Sequence, residues 1–167
     1  MPSANYARIT ATDSQLLDGA RELFTQYAEW LAPFITHSTI AEELASLPEP
    51  FSAPGGVLIA ALDEAGTVCG IVGVKRHSDT ECEIKRLFVR PDRRGTGLGY
   101  GLFSQALDAA AELGYREVLV STVPAYMPEA LKMYRRFGFG PTERFEDHTH
   151  AEIEIAYLRL SLANRRS

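Results

Sequence analysis

Residues 83–99 read EIKRLFVRPDRRGTGLG, a strand-like stretch that runs into a glycine-rich segment. Its first seven residues are typical of a β-strand, Pro91 follows the strand, and an apolar stripe with helical spacing begins at Leu98. The glycine-rich segment therefore joins a strand to the start of a helix. Backbone N–H groups at a helix start lack intrahelical partners, and the helix dipole adds positive charge. We therefore expect an anion site there, with Arg93 and Arg94 beside it.

The spacing of these glycines excludes two common phosphate loops. The G-x-G-x-x-G pattern would need a glycine at Tyr100 or at Leu102. The G-x-x-x-x-G-K-[ST] pattern fails because no Lys follows any of the glycines. Dinucleotide and ATP enzymes are therefore disfavoured. Taken alone, the loop still allows a flexible turn with solvated arginines.

The flanking patterns predict one α/β (α+β) domain over residues 1–167. Thr12, with Gln15 three positions on, predicts a capping box at the start of the first helix. Gly114 and Gly138 are expected to end two later helices. We expect a mixed central sheet of about seven strands with about four helices on both faces. The expected strands cover 6–11, 57–62, 67–77, 81–89, 116–123 and two stretches within 142–162, and the helices 12–31, 39–47, 97–113 and 127–137.

Composition restricts the class of partner. A net charge of −5 argues against a general nucleic-acid binder. No apolar run reaches the roughly 20 residues that span a membrane, and the N-terminus lacks the layout of a signal peptide. We expect a cytoplasmic protein with no nucleic-acid or membrane partner. Two cysteines, Cys69 and Cys82, are too few for a disulfide framework or a structural zinc site, so reduced thiols and no metal are expected.

Two motifs resemble the GNAT superfamily of acyl-CoA-dependent N-acetyltransferases. RGTGLG (residues 94–99) fits its R/Q-x-x-G-x-G/A signature, and EALKMYRRFGF (residues 129–139) resembles its A-x-x-x-Y-x-x-x-G-F helix motif. The order of elements fits the family fold along nearly the whole chain. The resemblance implies acetyl-CoA as co-substrate and a primary amine as acceptor, with no metal required.

The resemblance also implies a cofactor site. The strand at Leu87 and Val89 would be splayed from its neighbour, and its backbone would pair with the pantetheine arm. Backbone N–H groups from Arg94 through Gly99 would hold the pyrophosphate. The implied cofactor-binding residues are Leu87, Phe88, Val89, Arg94, Gly95, Thr96, Gly97, Leu98 and Gly99.

Two catalytic residues follow from the same resemblance. Glu83 lies where several members carry the carboxylate that deprotonates the amine, because an ammonium cannot attack a thioester. Tyr134 matches the tyrosine that protonates the departing thiolate, and the Val89 N–H would stabilise the oxyanion. As alternatives, Glu83 is an ordinary strand carboxylate paired with Lys85, with Arg86 or with a neighbouring strand, and Tyr134 is a core aromatic.

One position departs from the family pattern. Many members carry Asn seven residues before the tyrosine, where this chain has Met127, so a polar contact to CoA would be missing or would come from Ser121 or Thr122. A second hypothesis for the whole chain is a non-catalytic acyl-CoA-binding sensor or partner module, against which the presence of Glu83 and Tyr134 argues.

The acceptor pocket is the least determined part. In this family the first helix pair and the last hairpin line it, so Trp30, Phe34, Glu146 and Asp147 are the substrate candidates. His148 and His150 are interpreted as a polar turn rather than metal ligands. The acidic chain suits a cationic amine on a small molecule or peptide, and a sheet edge would allow a homodimer.

Overall fold

The computed structural model of the protein describes residues 5–33, 40–146 and 153–163. Phe34, Asp147, His148 and His150 lie outside the described residues, so the roles expected of them stay predictions. In chain order the elements are β1 Asn5–Ile9, α1 Ser14–Leu31, α2 Ile40–Ser46, β2 Val57–Leu62, β3 Val68–Arg76, β4 Glu81–Val89, α3 Leu98–Glu112, β5 Glu117–Thr122, α4 Pro128–Phe137, β6 Gly140–Pro141 and β7 Ala156–Ser161.

The seven strands form one mixed sheet in the order β1-β2-β3-β4-β5-β7-β6. β4 and β5 are parallel, and the other neighbours are antiparallel. Helices cover both faces: Phe24 of α1 packs in one core with Phe51, and Phe103 of α3 packs in the other with Tyr134 of α4. The predicted seven-stranded mixed sheet with four helices is confirmed.

A bulge at Arg86 changes which side chains of β4 face α1. Arg86 has φ 62°, and the register passes from Ile71 opposite Phe88 to Gly73 opposite Lys85, so Arg86 and Leu87 together face one residue of β3. Ile84 and Leu87 both contact the core under α3, although simple alternation would place them on opposite faces. Phe88 instead packs in the core under α1 and α2.

β4 and β5 separate partway along their length. Their pairing runs from Glu81 opposite Glu117 to Glu83 opposite Leu119, after which β4 continues to Val89 along β3. At the paired end, the guanidinium of Arg159 on β7 contacts the carboxylates of Glu81 and Glu117 and so ties three strands together. The sheet is therefore closed at one end of this strand pair and open at the other, directly after Glu83.

Two local predictions are wrong. Asp13, not Thr12, precedes the first turn of α1, and no side-chain bond caps the helix. The Asp13 carboxylate instead accepts hydrogen bonds from the N–H and hydroxyl of Thr10, which closes the preceding turn. In the C-terminal segment, the strand expected first is only β6, Gly140–Pro141, which lies before the predicted range, and residues 142–146 form no strand.

The prediction of reduced thiols is confirmed. Cys69 and Cys82 are buried free thiols. None of the helices in the described ranges is long and apolar enough to cross a bilayer.

Candidate functional site

The glycine loop folds as a cradle of backbone N–H groups at the start of α3. A short 3₁₀ turn covers Pro91–Arg93, and Gly95 and Gly97 have φ of 78° and 83°, a region that favours glycine. Gly97 is the N-cap of α3, whose hydrogen bonding begins with the Gly101 N–H donating to the Gly97 carbonyl. Within the described residues, the N–H groups of Gly95, Thr96 and Gly97 donate to no oxygen, so they are available to an anion.

The arginines beside the loop are engaged within the protein. Arg93 lies 3.3 Å from the Glu64 carboxylate. Arg94 donates from Nε to the Val89 carbonyl at 2.9 Å, and its guanidinium lies 5.1 Å from the centre of the Phe88 ring. Each arginine side chain would therefore have to give up its present contact before it could bind an anion in the cradle. The backbone, more than the arginine charges, forms the cradle.

The open edge of β4 leads from the cradle towards Glu83. The Arg90 N–H donates to the Cys69 carbonyl on β3, so the neighbouring Val89 N–H points away from β3 by the alternation of an antiparallel ladder. Phe88 pairs with Ile71 of β3, so the Leu87 carbonyl, which shares a peptide unit with the Phe88 N–H, is turned to this edge. β5 has already diverged here, so these groups face the gap between the strands. The Val89 carbonyl already accepts a hydrogen bond from Arg94, so the Val89 N–H is the group of this residue that is available to a ligand.

Glu83 lies where the two strands part and is 1% exposed. Its Oε2 is 3.5 Å from the Lys85 ammonium, which donates a hydrogen bond to Glu146 Oε1 at 3.0 Å. The alternative of a structural pairing between Glu83 and Lys85 is thus present in the structure, as part of a cluster of three charged side chains. Glu146, expected as a substrate candidate, is brought beside the expected base.

The pKa of the Glu83 carboxyl is raised to about 8, and burial is the largest cause. The Glu146 carboxyl contributes to the rise, and the charge of Lys85 opposes it. Neither Glu83 oxygen accepts a hydrogen bond from the described residues. When both carboxyl groups are ionised, no hydrogen bond can form between Glu83 and Glu146, because neither group carries a proton to donate. With a proton on one carboxyl, the two form a hydrogen bond, and this is the form that the raised pKa favours.

Tyr134 lies on α4 and is buried against aromatic rings of the core under α3. Its ring centre lies 5.0 Å from that of Phe103 and 5.8 Å from that of Phe139, so the core contacts expected of a packing residue are present. Burial raises the pKa of its hydroxyl, and so does the neighbouring Tyr27 of α1. The hydroxyl therefore holds its proton through the neutral range, as a general acid must.

Tyr27 connects the two faces of the sheet, and nothing in the sequence singled it out from the apolar stripe of α1. Burial raises the pKa of its hydroxyl, and the charges of Arg86 and Lys85 lower it. Its ring packs edge-on to Phe88 at 5.3 Å. Tyr27 thus lies close enough to β4 and to Tyr134 to interact electrostatically with both.

A buried ion pair fixes α2 to the β4 bulge. Arg86 donates from Nε and from a terminal nitrogen to the two carboxylate oxygens of Glu43, at 2.6 and 3.0 Å. Such a bidentate pair holds both side chains in one orientation. No sequence pattern predicts this ion pair, because Glu43 and Arg86 are far apart in the chain and come together only in the folded protein.

The remaining candidates take varied positions. Trp30 is 37% exposed at the end of α1, 6.4 Å from Tyr27 between ring centres. Met127, at the position where the family resemblance implies Asn, is the N-cap of α4, and no side-chain hydrogen bond caps this helix. The Met127 sulfur accepts a hydrogen bond from Thr122. The Thr122 hydroxyl is thereby directed to Met127, so it does not replace the missing amide.

Comparison with known proteins agrees with this geometry. Residues 18–139 match the model of the acetyltransferase (GNAT) family. An uncharacterized N-acetyltransferase of Schizosaccharomyces pombe is 32% identical over 151 residues, covering 89% of this chain and 90% of that protein.

Solved structures share the fold. A GNAT-family acetyltransferase of Staphylococcus aureus superposes with a TM-score of 0.76 at 14% identity, covering 96% of this chain and 99% of that one. A GNAT superfamily phosphinothricin acetyltransferase of Sinorhizobium meliloti, solved in complex with acetyl-CoA, gives a TM-score of 0.72 at 21% identity, covering 95% of this chain and 88% of that one.

Proposed function

Since the chain belongs to the acetyltransferase (GNAT) family and is an acyl-CoA-dependent N-acetyltransferase, we propose that it moves an acetyl group from acetyl-CoA directly to a primary amine, with Glu83 as general base and Tyr134 as general acid. The observation that carries this proposal is the buried Glu83 carboxyl at the point where β4 and β5 part. The acceptor is a primary amine on a small molecule or a peptide.

The described residues fit acetyl-CoA as co-substrate. The unpaired N–H groups of Gly95, Thr96 and Gly97 suit a pyrophosphate, and glycine at two positive-φ positions keeps Cβ atoms out of its way. The exposed backbone edge at Leu87 and Val89 suits an amide-bearing arm that adds beside a strand. Acetyl-CoA supplies an acetyl thioester, whose carbonyl an uncharged amine can attack.

Glu83 prepares the amine. Its ionised carboxylate takes a proton from the ammonium of the acceptor, and with a pKa of about 8 it is a stronger base than an ordinary carboxylate. The cost is that a smaller fraction is ionised at neutral pH. The rate is therefore expected to rise with pH up to about 8.

Val89 and Tyr134 act on the two other charges that develop. The Val89 N–H, free of β3, donates a hydrogen bond to the carbonyl oxygen as it gains negative charge. Tyr134 gives its proton to the departing sulfur, which is consistent with the raised pKa of its hydroxyl. Two protons leave the nitrogen during the reaction, one goes to sulfur, and one is released.

The test is thiol release from acetyl-CoA against a panel of primary amines, for the wild type, Tyr134→Phe and Tyr100→Phe. Tyr134→Phe should bind acetyl-CoA within about twofold of the wild type by calorimetry and turn over about 10²-fold more slowly or worse. Tyr100, a half-exposed tyrosine of α3, is the matched control and should leave the rate unchanged. Equal rates for Tyr134→Phe and the wild type would remove Tyr134 from the chemistry.

A further inference from the structure

A base as deeply buried as Glu83 needs a route for the proton that it removes. One proton is released for each acetyl group transferred to an ammonium, and the carboxyl must be ionised again before the next turnover. Glu83 is 1% exposed, so water reaches it poorly. A neighbouring group must therefore accept the proton from Glu83 and pass it to water.

Glu146 is the acidic neighbour that is placed to do so. It lies in the segment after β6, and its carboxylate is held over β4 by the Lys85 ammonium at 3.0 Å. The same ammonium is 3.5 Å from Glu83, so it draws the two carboxyl groups together. The Glu146 side chain is 18% exposed, against 1% for Glu83, which places it between the buried base and water.

Several other charged or polar groups lie around Glu83. Lys75 of β3 and Lys85 of β4 both lower the pKa of Glu83. Arg86 also interacts with Glu83, but its charge is matched by the two-point contact with Glu43 of α2. From α1, Tyr27 presents a hydroxyl that burial keeps protonated. Within the described residues, Glu146 is the carboxylate that interacts with Glu83, and its charge together with their shared hydrogen bond raises the pKa of Glu83.

We propose that Glu146 is the proton exit of the active site, receiving the acceptor's proton from Glu83 and passing it to water, while Lys85 holds the two carboxyl groups in register. This rests on the proposed function of Glu83 as the base. In each cycle the N–H bond of the ammonium breaks and an O–H bond forms on Glu83. That proton crosses the carboxyl–carboxyl hydrogen bond to Glu146, then leaves to water, and Glu83 is ionised again. Glu146 acts through Glu83 and is a positioning and relay residue.

The experiment compares Glu146→Gln with Glu143→Gln. Glu143 lies in the same segment, is exposed and carries the same charge, so it controls for the loss of one carboxylate near the site. Glu146→Gln should lower kcat about tenfold or more, within the range of a lost proton-transfer group, with KM for acetyl-CoA within about twofold of the wild type. It should also move the acid limb of the kcat/KM profile to lower pH, because a negative neighbour of Glu83 is gone.

Chemical rescue separates a relay from a structural role. In Glu146→Ala, formate should restore kcat in a saturable manner, because a small carboxylate can fill the vacated place. Formate should not restore Glu83→Gln, which lacks the base itself. Loss of kcat in Glu146→Gln with an unmoved pH profile and no formate rescue would overturn the relay, as would a rate equal to that of Glu143→Gln.

The two proposals fail differently. If Glu83→Gln retains wild-type activity, the proposed base is wrong and the relay falls with it. If Glu83→Gln is inactive while Glu146→Gln behaves like Glu143→Gln, the base stands and only the relay is refuted.

Discussion

The burial of Glu83 predicts a pH-dependent stability that can be measured without knowing the acceptor. The pKa of this carboxyl is about 8 in the folded protein against an ordinary value of 4.5. Between these two pH values the folded protein keeps a proton that the unfolded chain has released. The proton favours the folded state at low pH, and this stabilisation is lost as the pH rises from about 4.5 to about 8.

The size of the effect follows from the two pKa values. The difference of 8 minus 4.5, multiplied by about 1.36 kcal/mol for each pH unit, gives on the order of 5 kcal/mol at full ionisation. Because the side chain is almost completely buried, solvent screening reduces this little. An effect of that size is a large fraction of the stability of an ordinary domain.

Glu83→Gln isolates this contribution, because the amide has nearly the same shape and does not titrate. Urea unfolding at intervals from pH 5 to pH 9 gives the free energy of unfolding of each protein. The variant should gain stability relative to the wild type as the pH rises, by several kcal/mol over the range. Glu143→Gln, which removes an exposed carboxylate, should follow the wild type. A difference between Glu83→Gln and the wild type that is constant with pH would refute the buried, proton-holding carboxyl.

Three further substitutions test the framework of the site. Gly97→Ala places a Cβ on a residue with φ 83°, which costs about 1–2 kcal/mol, and the reshaped cradle should weaken CoA binding in calorimetry. Arg86→Met leaves the Glu43 carboxylate buried without its cation and should cost about 3–5 kcal/mol in urea unfolding, whereas Arg86→Met combined with Glu43→Leu should recover most of that loss. Gly101→Ala would place a Cβ against the Tyr6 hydroxyl, so the Tyr6 side chain must shift, and the melting temperature should fall, with partial recovery when Tyr6→Phe is added. An unchanged melting temperature would mean that β1 and α3 separate easily.

Local signals account for the parts of the structure that the sequence predicted well. The strand before Pro91, the glycine loop and α3 match the structure within about one residue, because alternation, proline and glycine act over short distances. The capping prediction at Thr12 failed for an equally local reason: Thr10 is hydrogen-bonded to both the Thr12 hydroxyl and the Asp13 carboxylate, in a turn that precedes the helix.

Long-range contacts account for what sequence reasoning missed. The left-handed backbone at Arg86 is unusual for a residue other than glycine, and it coincides with a guanidinium held by Glu43 from another element. Glu146 reaches Lys85 across 61 positions of the chain, so no spacing rule could join it to the base. From sequence alone, β4 could be recognised as a candidate catalytic strand. The charges around Glu83 could not be described, because they depend on these two long-range contacts.

The pH dependence of thiol release shows whether Glu83 is the general base. The wild type and Glu83→Gln are assayed against one accepted amine at saturating acetyl-CoA. The wild-type rate should rise with pH and level off near pH 8. Glu83→Gln should be slower by about 10²-fold or more across the range, because the amide cannot take the ammonium proton. Equal rates for the two proteins at every pH would show that another group, or water alone, deprotonates the amine, and would contradict the account.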